Sequence, residues 1–301
     1  MTDQPTISNP DAPAPAPAPK RLARTRRWAK HGLIGGVIVA ASLAGASCVQ
    51  LDRPNAAFPA TTAQISEARE QMRADPIGLA RPVIVLSGYR SPPGSSAMLA
   101  GKIRKLTGAE PEQVVYLSYM WSNTVQSPAR KVVAFVEEKF PSDDPGWTTE
   151  VDVVAISMGG LVARLAAADP ALRDEPDDGI GKRLKIHTLY TLGSPHRGSI
   201  LADKIAVDPA SRSMVAGSDF LEALDSEFST ADYKIVPYAV LRDNWVGAKR
   251  SAPFGQEPIW VSGRLIFSHH MIGLNRRIQA DLARRLRGEE PLGQPSEPPR
   301  N

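Results

Sequence analysis

The segment VDVVAISMGGLV, residues 151–162, says most about the architecture of this chain. Apolar, mostly β-branched residues run up to Ser157, two glycines follow one residue later, and apolar residues at helical spacing begin at once. A strand that turns directly into a helix must bend sharply, and only small side chains fit on either side of the bend. The bend lifts the hydroxyl of Ser157 to the head of the helix. There the backbone N–H of Met158 and the helix dipole favour a developing negative charge.

Short β-rich apolar runs alternate with segments of helical periodicity along most of the chain. The predicted strands lie at 82–88, 114–120, 151–157, 186–194, 234–241 and 258–267. The predicted helices include 95–106, 129–140, 159–168 and 274–286. Parallel strands need long crossovers, because a tight turn cannot join them. We therefore expect an α/β fold with a mostly parallel central sheet flanked by helices.

The net charge of +4 does not indicate a nucleic-acid partner. Residues 1–31 hold six basic and two acidic side chains, so six minus two accounts for the whole excess and the remaining chain is neutral. Basic residues beside an apolar run are typical of a membrane topology signal. We expect a membrane partner and no nucleic acid.

The apolar run at 32–51 is predicted to be a transmembrane or signal segment. No residue between Lys30 and Asp52 carries a formal charge, and the run is about long enough to cross a bilayer. Three interpretations stay open: a signal anchor, a lipoprotein signal with Cys48 acylated, and a signal peptide cleaved after Ala46. Each of them places the rest of the chain outside the cytoplasm. Since Cys48 is the single cysteine, an intramolecular disulfide is excluded.

Composition divides the rest of the chain. A disordered, Pro/Ala-rich and basic tail is expected at 1–31, followed by the apolar segment at 32–51 and a linker with a helix at 52–74. The folded domain is expected at 75–288 and a flexible, Pro-rich tail at 289–301. The two tails are too poor in apolar side chains to offset the entropy of ordering them.

The bend at Ser157 resembles the nucleophile elbow of the α/β-hydrolase superfamily, in particular the S-M-G-G elbow of its esterase and lipase branch. Ala155 replaces the first glycine of the usual G-x-S-x-G pattern and is still small enough for the turn. A second segment, TLGSPHRGS at 191–199, is similar to a strand end of small bacterial lipases, in which its histidine, here His196, is structural. The resemblance covers about residues 80–288. It implies a serine hydrolase that cleaves carboxylic or lipidic esters and needs neither metal nor cofactor.

The same resemblance implies the chain order serine, acid, histidine. Asp243 directly follows an apolar run and begins DNWVG, which is similar to the D-x-x-V turn that carries the acid. Competing acids lie in polar connections or loops, at Asp225, Asp232 and Glu257.

Two adjacent histidines follow the last predicted strand, where the resemblance places the catalytic base. His269 is favoured because relatives have an aliphatic residue nine positions beyond the base, as Ile278 is here, and His270 is the alternative. His187 lies within a predicted strand and is expected to be a satisfied core side chain.

The second oxyanion donor is expected in the loop after the first core strand, at the backbone N–H of Tyr89, with Gly88 allowing close approach. Residues 200–233 are expected to form either a cap over the site or a packed helix pair.

Two further functions stay open: a catalytically silent envelope binding protein on the same scaffold, and an acyltransferase on the same triad. The chain is expected to be monomeric.

Overall fold

A computed structural model describes residues 54–173, 181–263 and 267–299 of the chain. Among these residues, six strands form one sheet in the order β2-β1-β3-β4-β5-β6, and every neighbouring pair is parallel. The strands are β1 Val83–Leu86, β2 Val114–Leu117, β3 Val151–Ile156, β4 Ile186–Leu192, β5 Lys234–Val240 and β6 Ile259–Val261. The expected α/β fold with a parallel central sheet is confirmed. β6 is shorter than the run at 258–267 that predicted it.

Helices connect the strands. They are α1 Thr62–Ala74, α2 Pro93–Thr107, α3 Gln126–Lys139, α4 Gly159–Ala167, α5 Ile200–Lys204, α6 Pro209–Ser213, α7 Asp219–Phe228, α8 Ser268–Met271 and α9 Arg276–Leu286. Short 3-10 turns occupy Pro170–Arg173, Ala248–Ser251 and Ile272–Leu274. No helix of the described ranges is both long enough and apolar enough to cross a bilayer. The predicted segments 1–31 and 32–51, with Cys48, lie outside the described residues.

Both faces of the sheet are covered. Along β1, Ile84 and Leu86 pack in one apolar cluster with side chains of α3, α4 and α7. Val83 and Val85 point the other way, into a second cluster with side chains of α2 and α9. Successive strand side chains alternate between faces, so a strand buried on both sides reads as a continuous apolar run. This burial is why the strands could be located in the sequence.

Helix α1 lies on the outer side of α2 and α9. Its first turn is closed by a capping box, in which the Thr61 hydroxyl accepts from the Gln64 backbone and the Gln64 side chain accepts from the Thr61 backbone. Ile65 and Met72 pack with Leu106 of α2 and with alanines of α9.

The C-terminal residues 289–299 pack along the domain, which differs from the flexible tail that their composition predicts. The backbone N–H groups of Leu292 and Gly293 donate to Asp281, at 2.6 and 2.7 Å. The Gln294 N–H donates to the Ala57 carbonyl at 2.9 Å. Asp281 is fully buried, so its carboxylate needs these donors. Hydrogen bonds to Asp281 and to the Ala57 carbonyl therefore hold the segment in place, and amino-acid composition does not reveal such bonds.

Candidate active site

Ser157 sits at a tight bend, between the end of β3 and the start of α4. Its φ is 52°, in the left-handed region that a side chain other than glycine adopts only at a cost. Its N–H donates to the carbonyl of Leu192 in the adjacent strand, at 2.9 Å. The hydrogen bond and the packing of α4 maintain a strained serine at the carboxyl edge of the sheet.

The two glycines of the bend are required by close contacts. A Cβ placed on Gly159 would lie 2.7 Å from the carbonyl oxygen of Ser87, and one on Gly160 would lie 2.3 Å from the hydroxyl of Ser194. Both distances are shorter than real Cβ contacts allow, so neither position has room for a side chain. Helix α4 can therefore start directly beneath the serine only because these residues are glycines.

Three predicted site residues come together at this bend. The His269 Nε2 atom lies 2.9 Å from the Ser157 hydroxyl oxygen, and its Nδ1 atom lies 2.7 Å from an Asp243 carboxylate oxygen. Asp243 follows β5, and His269 lies in the short helix α8. An imidazole bridging a serine hydroxyl and a carboxylate is the arrangement that activates a nucleophile.

The carboxylate of Asp243 is buried and well supplied with donors. Its other oxygen accepts from the backbone N–H groups of Trp245 and Val246, both at 2.9 Å. Burial alone would raise the pKa of Asp243, but the hydrogen bond from His269 and these two backbone bonds outweigh it and hold the pKa below its ordinary value. Asp243 is therefore ionised at neutral pH and faces the imidazole of His269 with a full charge.

His269, and not its neighbour, makes the contact with the serine. The His270 ring instead meets the indole of Trp245 edge-on, at a centroid distance of 4.4 Å. Burial, and next the nearby His269, lower the pKa of His270. Trp245 also stacks on His269, at 5.6 Å and nearly parallel. Trp245 was not recognised from the sequence, although its position two residues after the acid was a usable signal.

The competing acids and His196 of the 191–199 segment do not contact Ser157, because each is paired elsewhere, exposed or enclosed. Asp225 pairs with the buried guanidinium of Arg164 at 2.7 Å, and Asp232 and Glu257 are exposed. Arg164 also lies 3.3 Å from His196, which is fully buried. Burial, and next the charge of Arg164, hold the pKa of His196 well below its ordinary value of 6.5. A neutral, enclosed imidazole fits the structural role that was expected for it.

The expectation for His187 is wrong. Its side chain is exposed at the start of β4, where it lies 3.3 Å from Asp152 and 3.2 Å from Arg81. The neighbouring Ile186 is buried, and successive strand side chains point to opposite faces. Only the face that carries His187 is open at this position, which an apolar run in the sequence does not reveal.

The loop after β1 lies against the serine. A Cβ on Gly88 would be 3.1 Å from the Ser157 Cβ, and the preceding carbonyl of Ser87 accepts a 2.5 Å hydrogen bond from the buried Tyr119 hydroxyl. Tyr89 follows Gly88 directly. The two predicted oxyanion donors, the N–H groups of Met158 and Tyr89, thus belong to two backbone segments that meet at Ser157. We call residues 87–90 the oxyanion loop.

The oxyanion loop is tied to the segment after β4. The hydroxyl of Tyr89 and a guanidinium nitrogen of Arg90 both donate to one oxygen of Asp208, at 2.6 and 2.9 Å. The other oxygen of Asp208 caps α6 through the N–H of Ser211, at 2.8 Å. Burial, and next the hydrogen bond to Asp208, raise the pKa of Tyr89 to about 12. Asp208 was not identified from the sequence, where it is one acid among many.

Helices α5 to α7, in the region 200–233, form a packed layer. Ala202, Ala210, Leu221 and Leu224 are buried in the same cluster as α3 and α4. These contacts match the packed-helix alternative. Within the described ranges, no three His, Cys, Asp or Glu side chains are grouped closely enough to hold a metal ion.

The protein family model described as "Putative serine esterase (DUF676)" matches residues 110–226 of the chain. The matched part contains the bend at Ser157 and ends before Asp243 and His269. It supports an ester hydrolase in general terms. A search of curated protein sequences gives no significant match.

Solved structures with a similar fold include the phospholipase PlaB from Legionella pneumophila, at 15% identity and a TM-score of 0.43 over 57% of this chain. The aligned part is 44% of that protein, so the chain spans less than half of its length. A protein described as a "putative cell surface hydrolase" from Lactobacillus plantarum WCFS1 aligns at 13% identity and a TM-score of 0.42, over 70% of this chain and 92% of that one. A lipase-esterase related protein from Clostridium acetobutylicum ATCC 824 aligns at 11% identity and a TM-score of 0.39, over 69% of this chain and 95% of that one. At these values the likeness concerns the general fold alone.

Proposed function

Because the chain is an α/β-hydrolase, we propose that it cleaves carboxylic esters through an acyl-enzyme on Ser157. The observation that carries this proposal is the continuous hydrogen-bonded path from Asp243 through His269 to the serine hydroxyl, with both heavy-atom distances below 3 Å. Such a path orients the hydroxyl and lets its proton pass to His269 as the oxygen attacks.

In the proposed reaction the Ser157 oxygen attacks the ester carbonyl while Nε2 of His269 takes the hydroxyl proton. The ionised Asp243 stabilises the imidazolium that forms and keeps Nδ1 protonated. The backbone N–H groups of Met158 and Tyr89 hold the negative oxygen of the tetrahedral intermediate. His269 then gives its proton to the departing alcohol. In the second half-reaction His269 activates water, which releases the acid and restores the serine.

A fluorophosphonate probe tests the proposal directly, because it labels only an activated serine. We expect the wild-type protein to be labelled and Ser157→Ala to be unlabelled with an unchanged circular dichroism spectrum. His269→Ala should lower ester turnover by about 10³-fold or more, whereas His270→Ala should retain most of it. A folded wild-type protein that neither reacts with the probe nor hydrolyses esters would instead be a silent binding scaffold. Loss of activity in His270→Ala, with activity retained in His269→Ala, would show that His270 is the base and His269 is not.

We further propose that residues 32–51 hold the enzyme at a membrane, with the domain outside the cytoplasm and near lipidic esters. The uncharged run after six basic residues supports this location. Membrane fractionation of the full chain tests it, and Cys48→Ser separates the two kinds of anchor. Release of that variant into the soluble fraction identifies a lipid anchor. Retention identifies a transmembrane one, and a wild-type protein found only in the soluble fraction would refute the tether.

A further inference from the structure

A cavity of about 370 Å³ opens at the carboxyl end of β2. The loop after β2 supplies most of its wall, including Tyr119, Trp121 and Asn123, and the first turns of α3 supply Ser127 and Lys131. None of these residues except Tyr119 takes part in the site described above. We call this cavity the lateral pocket.

The lateral pocket lies on the same edge of the sheet as the proposed nucleophile. All six strands are parallel, so the loops after β1, β2 and β3 leave from one edge. β2 is separated from β3 by β1 alone, and adjacent strands lie about 4.8 Å apart, which puts the end of β2 about 10 Å to the side of the serine. Tyr119 connects the two places, because its hydroxyl bonds to Ser87 of the oxyanion loop.

The chemistry of the lateral pocket favours an anion. Ser127 and Lys131 are one helical turn apart on α3 and both line the pocket. The other residues three and four positions from Lys131 are Pro128, Ala134 and Phe135, none of which is acidic. Lys131 has no ion-pair partner among the residues that the structure describes, whereas Lys139 of the same helix is paired with Glu138. An unneutralised ammonium beside a hydroxyl and an amide suits a phosphate or a carboxylate.

We propose that the lateral pocket binds an anionic group of the ester substrate, a phosphate or a carboxylate, on a chain that reaches across the end of β1, where the ends of β2 and β3 are about 10 Å apart. The proposal rests on the esterase function of Ser157 and names the class of ester. Trp121, which is 89% exposed at the rim, offers a flat apolar surface for the part of the substrate between the two groups. The enzyme would then select esters by charge and by length together.

Turnover of matched esters tests this selection. The substrates are 4-nitrophenyl monoesters of dicarboxylic acids of increasing length, the same chains ending in a neutral amide, and chains ending in a phosphate. We expect the charged esters to exceed their neutral partners in kcat/KM at one preferred length. Lys131→Gln should lower kcat/KM for those esters about tenfold and leave the neutral esters unchanged, because it removes one charge-assisted hydrogen bond. Whether the carboxylate or the phosphate series shows the larger preference identifies the anion.

Two control variants separate a local from a general effect. Lys131→Arg keeps the charge and should keep the preference. Lys105→Gln removes another exposed lysine charge, on α2, and should change nothing. Equal kcat/KM for charged and neutral esters in the wild-type protein, or an equal loss in Lys105→Gln, would overturn the proposal.

Binding without turnover keeps the test independent of the proposed function. In the Ser157→Ala background, calorimetry with the preferred charged ester should give a Kd about tenfold lower than with its neutral partner. Adding Lys131→Gln should abolish that difference. If no ester is hydrolysed by the wild-type protein, the esterase proposal fails. If binding is insensitive to charge, the lateral pocket proposal fails.

Discussion

The phenolic hydroxyl of Tyr89 donates a hydrogen bond to a carboxylate oxygen of Asp208, across 2.6 Å. The two residues are 119 positions apart, and the bond joins the oxyanion loop to the start of α6. Oxyanion donors act only when they lie about 2.7–3.1 Å from the oxygen that becomes charged. A charged group that holds this loop from outside therefore bears on the proposed catalysis without touching the substrate.

Asp208→Ala should lower kcat about tenfold and change KM less. The variant frees the Tyr89 hydroxyl and the Arg90 guanidinium, which lets the oxyanion loop move away from the position where it stabilises the transition state. Steady-state kinetics on a neutral ester measures both constants. Asp208→Asn keeps a hydrogen-bond acceptor, so its kcat should lie between those of the wild-type protein and Asp208→Ala.

The matched control for Asp208 is Ser211→Ala. It removes the hydroxyl from the cap of α6 and leaves the bond from Tyr89 in place. We expect a loss of about 1 kcal/mol in the free energy of unfolding and nearly unchanged kcat. An equal fall of kcat in both variants would mean that Asp208 acts by stabilising α6 and not by holding the loop.

Gly159→Ala should be both less stable and less active. The added methyl group would meet the Ser87 carbonyl at 2.7 Å, and the oxyanion loop must move to admit it. Overpacking of this kind costs about 1–3 kcal/mol, which urea denaturation measures, and the displaced loop lowers kcat. Gly94→Ala on α2 is the control, because nothing lies within 4 Å of its added Cβ. Wild-type stability and turnover in Gly159→Ala would contradict the contact.

His196 should make the protein less stable in mild acid. Its pKa is lower in the folded protein than the ordinary 6.5, so the unfolded chain binds the proton more readily. The stabilisation from a neutral His196 is complete above pH 6.5 and is lost as the pH falls below it, at up to about 1.4 kcal/mol per pH unit. His196→Gln should therefore show a shallower fall in unfolding free energy between pH 7.5 and 5.5. Above pH 7.5 the slopes of the two proteins should coincide, and equal slopes below it would argue against a buried neutral imidazole.

Truncation after Gly288 should destabilise the domain by about 2–6 kcal/mol. Removal of Leu292 and Gly293 takes two backbone donors from the buried Asp281, and each unsatisfied bond of this kind costs about 1–3 kcal/mol. Thermal and urea denaturation measure the loss. Truncation after Gln294 keeps both donors and should cost less. If the two truncations behave alike, the Asp281 contacts do not stabilise the segment.

Much of the architecture follows from local patterns. The apolar runs located six strands, and the run at 82–88 contains the observed Val83–Leu86, because strands buried on both faces must be apolar throughout. The same reasoning misplaced the His187 side chain and extended the last strand beyond Val261. Packing at the ends of a strand depends on which helices reach that far, and this does not show in the strand's own residues.

The bend at Ser157 is encoded locally, since a serine between apolar residues and two glycines can form one tight strand-to-helix turn and little else. The choice between His269 and His270 is not encoded in that way. Adjacent residues on a helical turn point about 100° apart, so only the packing of α8 and Trp245 determines which imidazole faces the serine. The tie between Tyr89 and Asp208 is of the same kind, because it joins residues that become neighbours only when the sheet brings the loops of β1 and β4 to one edge.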